Sequence, residues 1–372
     1  MRLLHVVPTY LPARRYGGPI VAVHGLCRAL RERGHDVDVF TTNVDGDGVL
    51  DVPIATPVSV EGVRVHYFPS PMPRLYWSPE MRRALRSIDH ELVHSHAIWL
   101  WPGYAAARAA RRANIPFVIS PRGMLVPELI ARKSRFVKRA WLATIERRNF
   151  AHASAIHCTS AIEEEDAKRT GVPLPSPFIV PNGIDLVPRP NVAREDDTLV
   201  FLGRINWKKG LDRAIELLPR IDAKLIIAGN DEENLTPQLR ALAEKLGVAD
   251  RVEFAGPVYG AAKWELLARA TLFVLLSMSE NFGNAALEAL MMETPVALSK
   301  SVGLAEDVER AGAGITNVDE IAALIANQER RAEMGRRGRE LVESKFTWPR
   351  VAEQMEEAYR RCLTKSLPRS RP

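Results

Sequence analysis

The sequence predicts an α/β protein of two doubly wound parallel sheets facing each other across a cleft. Three observations carry that prediction. Short apolar runs of strand length alternate with helical patterns through both halves of the chain. One stretch rich in Pro and charge, VPRPNVAREDD at 187–197, interrupts the alternation near the middle. A length of 372 residues, 46% hydrophobic and 26% charged, gives each half room for its own core. The same composition excludes a mainly disordered or fibrous chain. No apolar run approaches the ~18–20 residues of a spanning helix. The start, MRLLHVVPTY, lacks the cleavage site of a signal peptide. Cys27, Cys158 and Cys362 lie far apart without metal-ligand spacing, which argues against a disulfide framework and fits a reducing cytoplasm.

The elements follow in order. Leu3–Thr9 reads as a strand, then Gly17-Gly18-Pro19 opens a helix from about Ile20 to Glu32 that stops at Gly34. Val37–Thr41, Val63–Phe68, Leu92–His96 and Phe117–Ser120 are further strands, the last two separated by the Ala/Arg-rich helix Tyr104–Ala113. A long basic helix is expected from Pro127 to Asn149, and Ala155–Thr159 and Phe178–Val180 close the series. Past the turn at Pro181-Asn182-Gly183 and the 187–197 stretch, read as a linker, a second series begins. Its strands are Leu199–Leu202, Lys224–Ala228, Val252–Ala255, Leu272–Leu276 and Val296–Ser299. Helical patterns at Leu211–Leu218, Pro237–Leu246, Lys263–Ala268 and Ala285–Met292 separate them. The expected domains are 1–186 and 198–347. Residues 348–372 form a C-terminal helix, packing back on the first domain, and a frayed basic tail. Ligands of such sheets bind beyond the carboxyl ends of the strands, so a cleft between the domains is the expected site.

The segment SENFGNAALEALMM at 279–292 carries the most chemistry. It follows a strand, turns at Asn281–Gly283, and starts a helix with Asn284 as its expected N-cap. Backbone N–H groups at such a start favour phosphate. Glu280 precedes the helix and Glu288 lies about one turn inside it, the single charge among 285–292. Two carboxylates around an anion site suit a ligand with hydroxyl-rich ends and phosphates between, a nucleotide sugar. The alternative is a capping Glu plus a salt-bridged core Glu. In LGRINWKKGLD at 202–212, Arg204 and Lys209 stand at a strand's carboxyl end. Together they can neutralise a diphosphate without a metal and stabilise it as a leaving group. A solvated charge cluster is the alternative there.

These motifs resemble those of the retaining nucleotide-sugar glycosyltransferases of family 4. SENFGNAALEAL resembles the Glu-x7-Glu element, GRINWKKG the Gly-Arg…Lys-Gly phosphate clamp, VPNGID (Val180–Asp185) the interdomain turn, and YGGP (Tyr16–Pro19) the glycine-rich loop after the first strand. RGHDVDVFTT and ELVHSHAIW are similar to the family's style, and the set occurs in order along nearly the whole chain. The resemblance implies the GT-B fold, two facing Rossmann-like domains, a retaining reaction, and no metal or other cofactor. On the donor side it implies Gly17, Gly18, Gly203, Arg204, Lys209, Glu280, Phe282, Gly283, Asn284, Ala285 and Glu288. It places base recognition on backbone near Val252–Phe254. His96 is implied beside the donor sugar or leaving phosphate, with His94 buried and structural. Tyr16 and Arg122 fall on the acceptor side, Arg122 facing an acceptor phosphate. In place of the glycine common before the Pro-Val strand, this chain has Glu293, which alters a turn. No carboxylate of the first half presents itself as a nucleophile for double displacement. The resemblance implies a front-face mechanism, in which the leaving diphosphate takes the acceptor's proton and His96, Arg204, Lys209 and Glu280 form the catalytic group.

Charge is uneven. Residues 1–190 hold 25 Lys/Arg against 17 Asp/Glu, and the remainder 26 against 28. The first half is therefore expected to meet an anion. A basic helix at 132–148, with Phe136, Trp141 and Leu142 among its cations, suits an anionic membrane surface. A solvated face is the alternative. Trp77, Trp99 and Trp101 could add apolar or sugar-stacking contacts. The expected activity is hexosyl transfer from a nucleotide-diphosphate sugar to a glycan or lipid-linked oligosaccharide acceptor, in polysaccharide, lipopolysaccharide or glycoconjugate biosynthesis. The expected location is the cytoplasm, peripheral on the cytoplasmic face of the inner membrane. A phosphate-dependent disaccharide phosphorylase and a non-catalytic polyanion binder are the alternatives. A hydrolase would leave the Arg/Lys clamp without purpose, and no nucleic-acid motif is found.

Overall fold

The computed structural model describes residues 1–13, 17–54, 56–132 and 134–366. The chain divides into two compact units. One comprises Met1–Gly183 with the helix from Trp348 onward, and the other Ile184–Thr347.

The first unit is built on eight strands: Arg2–Val6 (β1), Asp36–Thr42 (β2), Val58–Val60 (β3), Val63–Phe68 (β4), Leu92–His96 (β5), Phe117–Ser120 (β6), Ala155–Cys158 (β7) and Pro177–Ile179 (β8). Their order is β8-β7-β6-β5-β1-β2-β4-β3, all parallel except β3, which runs antiparallel to β4. β1 and β5 are near-continuously buried runs, as a parallel sheet covered by helices on both faces requires. The chain leaves β1 to one side through β2 and returns to the other through β5, so the topological switch point lies between them.

Helices Gly18–Glu32 (α1), Pro79–Ala84 (α2), Trp101–Ala113 (α3), Pro127–Arg132 (α4), Arg135–Trp141 (α5), Arg147–His152 (α6) and Ala161–Arg169 (α7) accompany this sheet. The long basic helix expected over 127–149 is thus broken. Ser134 adopts a left-handed backbone (φ 56°), which ends one helix and starts the next.

The second unit holds six parallel strands: Thr198–Leu202 (β9), Lys224–Ala228 (β10), Val252–Gly256 (β11), Leu272–Leu275 (β12), Val296–Leu298 (β13) and Gly314–Ile315 (β14). Their order, β11-β10-β9-β12-β13-β14, is the doubly wound pattern with its switch point between β9 and β12. Helices Leu211–Leu217 (α8), Thr236–Lys245 (α9), Gly260–Arg269 (α10), Asn284–Met291 (α11), Ala305–Ala311 (α12), Ile321–Ile325 (α13) and Gln328–Lys345 (α14) pack around it. The stretch read as a linker is instead tied down within this unit. Arg189 donates to the carbonyls of Met292 (3.2 Å) and Ala268 (3.0 Å), and Arg194 to those of Ala270 (2.7 Å) and Glu293 (3.0 Å). Val187 and Val192 pack on the core. Composition marked a solvated segment, but two guanidiniums satisfy carbonyls that would otherwise lack partners.

The last helix, Trp348–Ser366 (α15), belongs to the first unit and packs along α1. Trp348 lies so close to Gly25 and Gly183 that a Cβ on either would fall within 2.5 Å of its ring.

Candidate functional site

In the second unit, the loops that leave β9 and β12 carry the charged residues. After β9, Gly203 precedes Arg204, and Trp207–Lys209 form a single 3-10 turn whose start Asn206 caps by accepting from Lys208 N–H (3.2 Å). Gly210 then opens α8 with φ 67°, and a Cβ there would stand 2.0 Å from the Leu276 carbonyl oxygen. Only glycine allows the loop after β9 to press against the end of β12.

After β12, Glu280 is fixed through its backbone. Its N–H donates to Ser301 O (3.1 Å) and its carbonyl accepts from Gly303 N–H (2.9 Å). Its carboxylate forms an ion pair with Lys209 Nζ, both side chains being 14% exposed. Burial pushes the Glu280 carboxyl up, but Lys209, Lys208 and Arg204 outweigh it and hold the group below its ordinary value. Burial and these neighbouring cations draw Lys208 down. Arg204 pairs with Glu232 (3.0 Å) beyond β10.

Gly283, not Asn284, caps α11. Its φ of 106° is open only to glycine, and a Cβ would meet Val302 at 2.9 Å. Asn284 and Ala285 are the first two helical residues. They precede the first intrahelical bonds, made by Ala286 and Leu287 N–H to Gly283 O, so their N–H groups lead the helix toward the switch point. The Phe282 side chain is buried against Phe346, so this position offers backbone only. Glu288 is half-buried and pairs with Lys263 Nζ on α10 (2.8 Å), whose ammonium also lies 4.0 Å over the Trp264 ring. This long-range pair unites the two readings of Glu288, a salt-bridged group that still reaches solvent. Val252–Phe254 lie within β11, whose backbone is committed to β10 on one side. The backbone past the strand's carboxyl end is Pro257–Tyr259, where exposed Tyr259 accepts from Asn230 Nδ2 (3.4 Å).

In the first unit, the register pairs His5 of β1 with His94 of β5 and brings His96 onto the same face. A directed chain of hydrogen bonds runs through the interior. His157 Nε2 donates to the Val180 carbonyl (2.8 Å), so its Nδ1 must accept, from Ser120 Oγ (2.6 Å). Ser120 in turn accepts from His94 Nε2 (2.7 Å), and His94 Nδ1 accepts from the Tyr359 hydroxyl of α15 (2.6 Å). Arg122 donates to His96 Nδ1 (3.1 Å) and Asn182 Oδ1 (2.9 Å), so His96 Nε2 carries a proton and donates to His5 Nδ1 (2.9 Å). All four imidazoles are therefore neutral. Burial, reinforced by the charge of Arg122, holds His5 and His157 at about 3 and draws His94 and His96 well below their ordinary value.

The ligating nitrogens of His5, His94 and His96 lie within 4.8 Å of one another. They make a poor metal site, because His94 has both nitrogens engaged and the Arg122 guanidinium faces the cluster.

His96 is 3% exposed and lies under Arg122. Arg122, half-buried in a left-handed backbone (φ 55°), is the group of this cluster that reaches the surface. Glu163 sets its loop by accepting from Gly123 N–H (2.5 Å) and from Thr159 N–H and Oγ1 (both 2.7 Å). Gly17 caps α1 with φ 62° and Gly18 is its first residue, both past the end of β1. Tyr16 lies outside the described residues. Local sequence gave no sign of Lys208, Lys263, Glu232 or Asn230, since each enters through a partner at least 25 residues away or through the fold's winding.

Two family models match the chain: the glycosyl transferase 4-like domain over residues 17–183 and glycosyl transferases group 1 over 186–341. Glycogen synthase of Mycobacterium tuberculosis is 29% identical, covering 96% of this chain and 94% of its own. A D-inositol 3-phosphate glycosyltransferase of Xylanimonas cellulosilytica is also 29% identical, over 92% and 91%. Among solved structures, Anabaena HepE in complex with UDP and glucose superposes with a TM-score of 0.74 at 18% identity, over 97% of this chain and all of that one.

Proposed function

We propose that this chain, which belongs to the group 1 glycosyltransferases and has their GT-B fold, moves a hexosyl unit with retention from a nucleotide-diphosphate sugar to a glycan or lipid-linked acceptor. One observation carries the reading. The switch point of the second sheet gathers Arg204, Lys208, Lys209, the leading N–H groups of α11 and the Glu280 carboxylate, with Glu288 about one turn into α11 and paired with Lys263. Cations and helix N–H groups suit a diphosphate, while the carboxylates suit hydroxyls at its two ends.

Arg204 and Lys209 stabilise the charge that grows on the diphosphate as the glycosidic bond breaks, a task that needs no metal ion. Before substrate enters, Glu280 holds Lys209 in place. The sugar's hydroxyls then take the carboxylate, and the ammonium is released to the phosphate. The departing phosphate oxygen accepts the acceptor's proton, so no separate base is assigned. In the first unit, Arg122 receives the acceptor, and His96 is a positioning residue that holds the guanidinium through a neutral ring. The relatives support the donor class: HepE was solved with UDP and glucose.

The reading is tested by the thermal shift of the full chain with UDP, GDP and ADP and their sugar conjugates, beside Glu288→Ala. One nucleotide class should raise Tm, with the shift reduced in the variant. No shift with any nucleotide, but one with inorganic phosphate and a disaccharide, would transfer the site to a phosphorylase.

A peripheral membrane location has its own observation. Phe136 and Val137 on α5 are 76% and 68% exposed, flanked by Arg135, Lys138 and Arg139. Apolar side chains projecting among cations suit an anionic bilayer. No described helix is long and apolar enough to cross one. Co-sedimentation with phosphatidylglycerol vesicles, lost in Phe136→Ser, tests this.

A further inference from the structure

Away from the groups described so far, helices α2 and α3 enclose a groove of about 650 Å³. Its walls carry Arg82 and Arg86 from the α2 side and Arg108 and Arg112 from α3, all four exposed. Trp101 and Tyr104 stand at one end, the floor is a strip of α3 alanines, and no carboxylate lines the groove. None of the four guanidiniums forms an ion pair with a described carboxylate. On α3, Arg108 and Arg112 are like charges four residues apart, an arrangement that disfavours the helix, and Arg82 and Arg86, the latter just past the end of α2, add two more cations across the groove. Arg108 donates to the Tyr104 hydroxyl (3.5 Å), but the groove lining holds no counter-charge, and an anion would relieve the four cations.

We infer that this groove binds an acidic glycan, a saccharide chain bearing carboxylate groups. Guanidinium forks on both walls match carboxylates projecting from alternate sides of a chain. Sugar rings present apolar C–H faces that suit the alanine strip and the two aromatic rings. From Trp101 to Arg112 the helix rises about 16 Å, room for several sugar rings in line. The aromatic end also lies nearest the carboxyl edge of the first sheet, since Trp101 follows His96 by only five residues. A bound chain would thus run from the outer face of the unit toward the edge where Arg122 stands.

Other polyanions fit less well. A bilayer is flat, whereas these cations line a concavity. A single-stranded nucleic acid stacks successive bases on rings spread along its path, whereas here both rings are at one end. The choice of a glycan over other anions rests on the transferase reading.

The test is titration of the full chain with oligogalacturonate, against a neutral maltooligosaccharide of equal length, oligo(dT) and phosphatidylglycerol vesicles. Oligogalacturonate should bind and weaken with added salt, while the neutral sugar should not. Arg108→Glu/Arg112→Glu and Arg82→Glu/Arg86→Glu should each weaken binding at least tenfold. These exposed positions lie outside the donor group, so the nucleotide-induced Tm shift serves as a control for folding. Binding that survives both double variants, or is matched by the neutral sugar, overturns the proposal. So does groove-dependent binding of oligo(dT) or vesicles without oligogalacturonate. Groove-dependent glycan binding with no nucleotide response would uphold the groove and refute the transferase reading, so the two failures are distinct.

Discussion

Lowering the pH should unfold the first unit through its own histidines, and His157 gives the cleanest measure. Its ring is enclosed, donates to Val180 and accepts from Ser120, and its folded-state value is about 3 against 6.5 for the free side chain. Because the folded value lies below the free one, the unfolded chain binds more protons than the native state between these limits. Stability from this group is complete above pH 6.5 and is lost as pH falls toward 3. At pH 4.5 the loss is two pH units, about 3 kcal/mol for this residue. His5, also at about 3 for the same first cause, contributes a similar loss. Together they approach the whole stability of a typical domain, about 5–15 kcal/mol. The variant His157→Gln keeps a donor for Val180 and an acceptor for Ser120 but cannot titrate. Urea unfolding of both proteins, followed by far-UV circular dichroism at pH 7.5 and 4.5, gives two differences in stability. The variant should be the weaker protein at pH 7.5, and the gap should move in its favour by about 3 kcal/mol at pH 4.5. An unchanged gap would show that His157 is not held neutral in the fold.

Three further outcomes follow from the second unit. Gly210→Ala places a Cβ 2.0 Å from the Leu276 carbonyl in a left-handed backbone. It should destabilise by at least about 2 kcal/mol, read as a lower urea midpoint. Lys209→Met leaves the Glu280 carboxylate without its closest cation and should destabilise by about 3 kcal/mol. Adding Glu280→Gln should restore part of that loss in a double-mutant cycle. With donor sugar, Lys209→Met should lower kcat about 10²–10³-fold, the scale set by removing one stabiliser of transition-state charge. Arg194→Met frees the carbonyls of Ala270 and Glu293 and should cost about 1–3 kcal/mol of stability, measured by the same titration.

Most strands were legible because a buried parallel strand announces itself as a short apolar run. Val63–Phe68, Leu92–His96, Phe117–Ser120 and Lys224–Ala228 fall where the sequence predicts them. The residues proposed for the donor side come together for a related reason: several sit immediately after such runs, and the doubly wound order sends β9 and β12 to neighbouring places. What stayed hidden depends on partners distant in sequence. Glu288 meets Lys263 only because α10 packs beside α11, and Arg204 meets Glu232 only because β10 lies beside β9. The N-cap at Gly283 turned on a backbone angle that an Asn-rich turn does not disclose, and the inward Phe282 on a core contact with Phe346.

The largest hidden step concerns His96. Alternation along the strand places it on one face with His94, but not whether it meets solvent. In the structure His96 is 3% exposed with Arg122 bonded to its Nδ1, and its neighbour His94 is fixed by α15, whose Tyr359 donates to it from 265 residues away. With that hydroxyl in place, His94 must donate to Ser120, and Ser120 to His157. The neutral interior so formed leaves Arg122 as the cluster's cation. An acceptor group drawn to the first unit would therefore meet a guanidinium steadied by His96 and Asn182, not a histidine itself. Removing the Tyr359 hydroxyl (Tyr359→Phe) leaves buried His94 Nδ1 without its donor and should cost about 1–3 kcal/mol of stability, read as a lower urea midpoint, while the bonds of Arg122 to His96 and Asn182 stay in place.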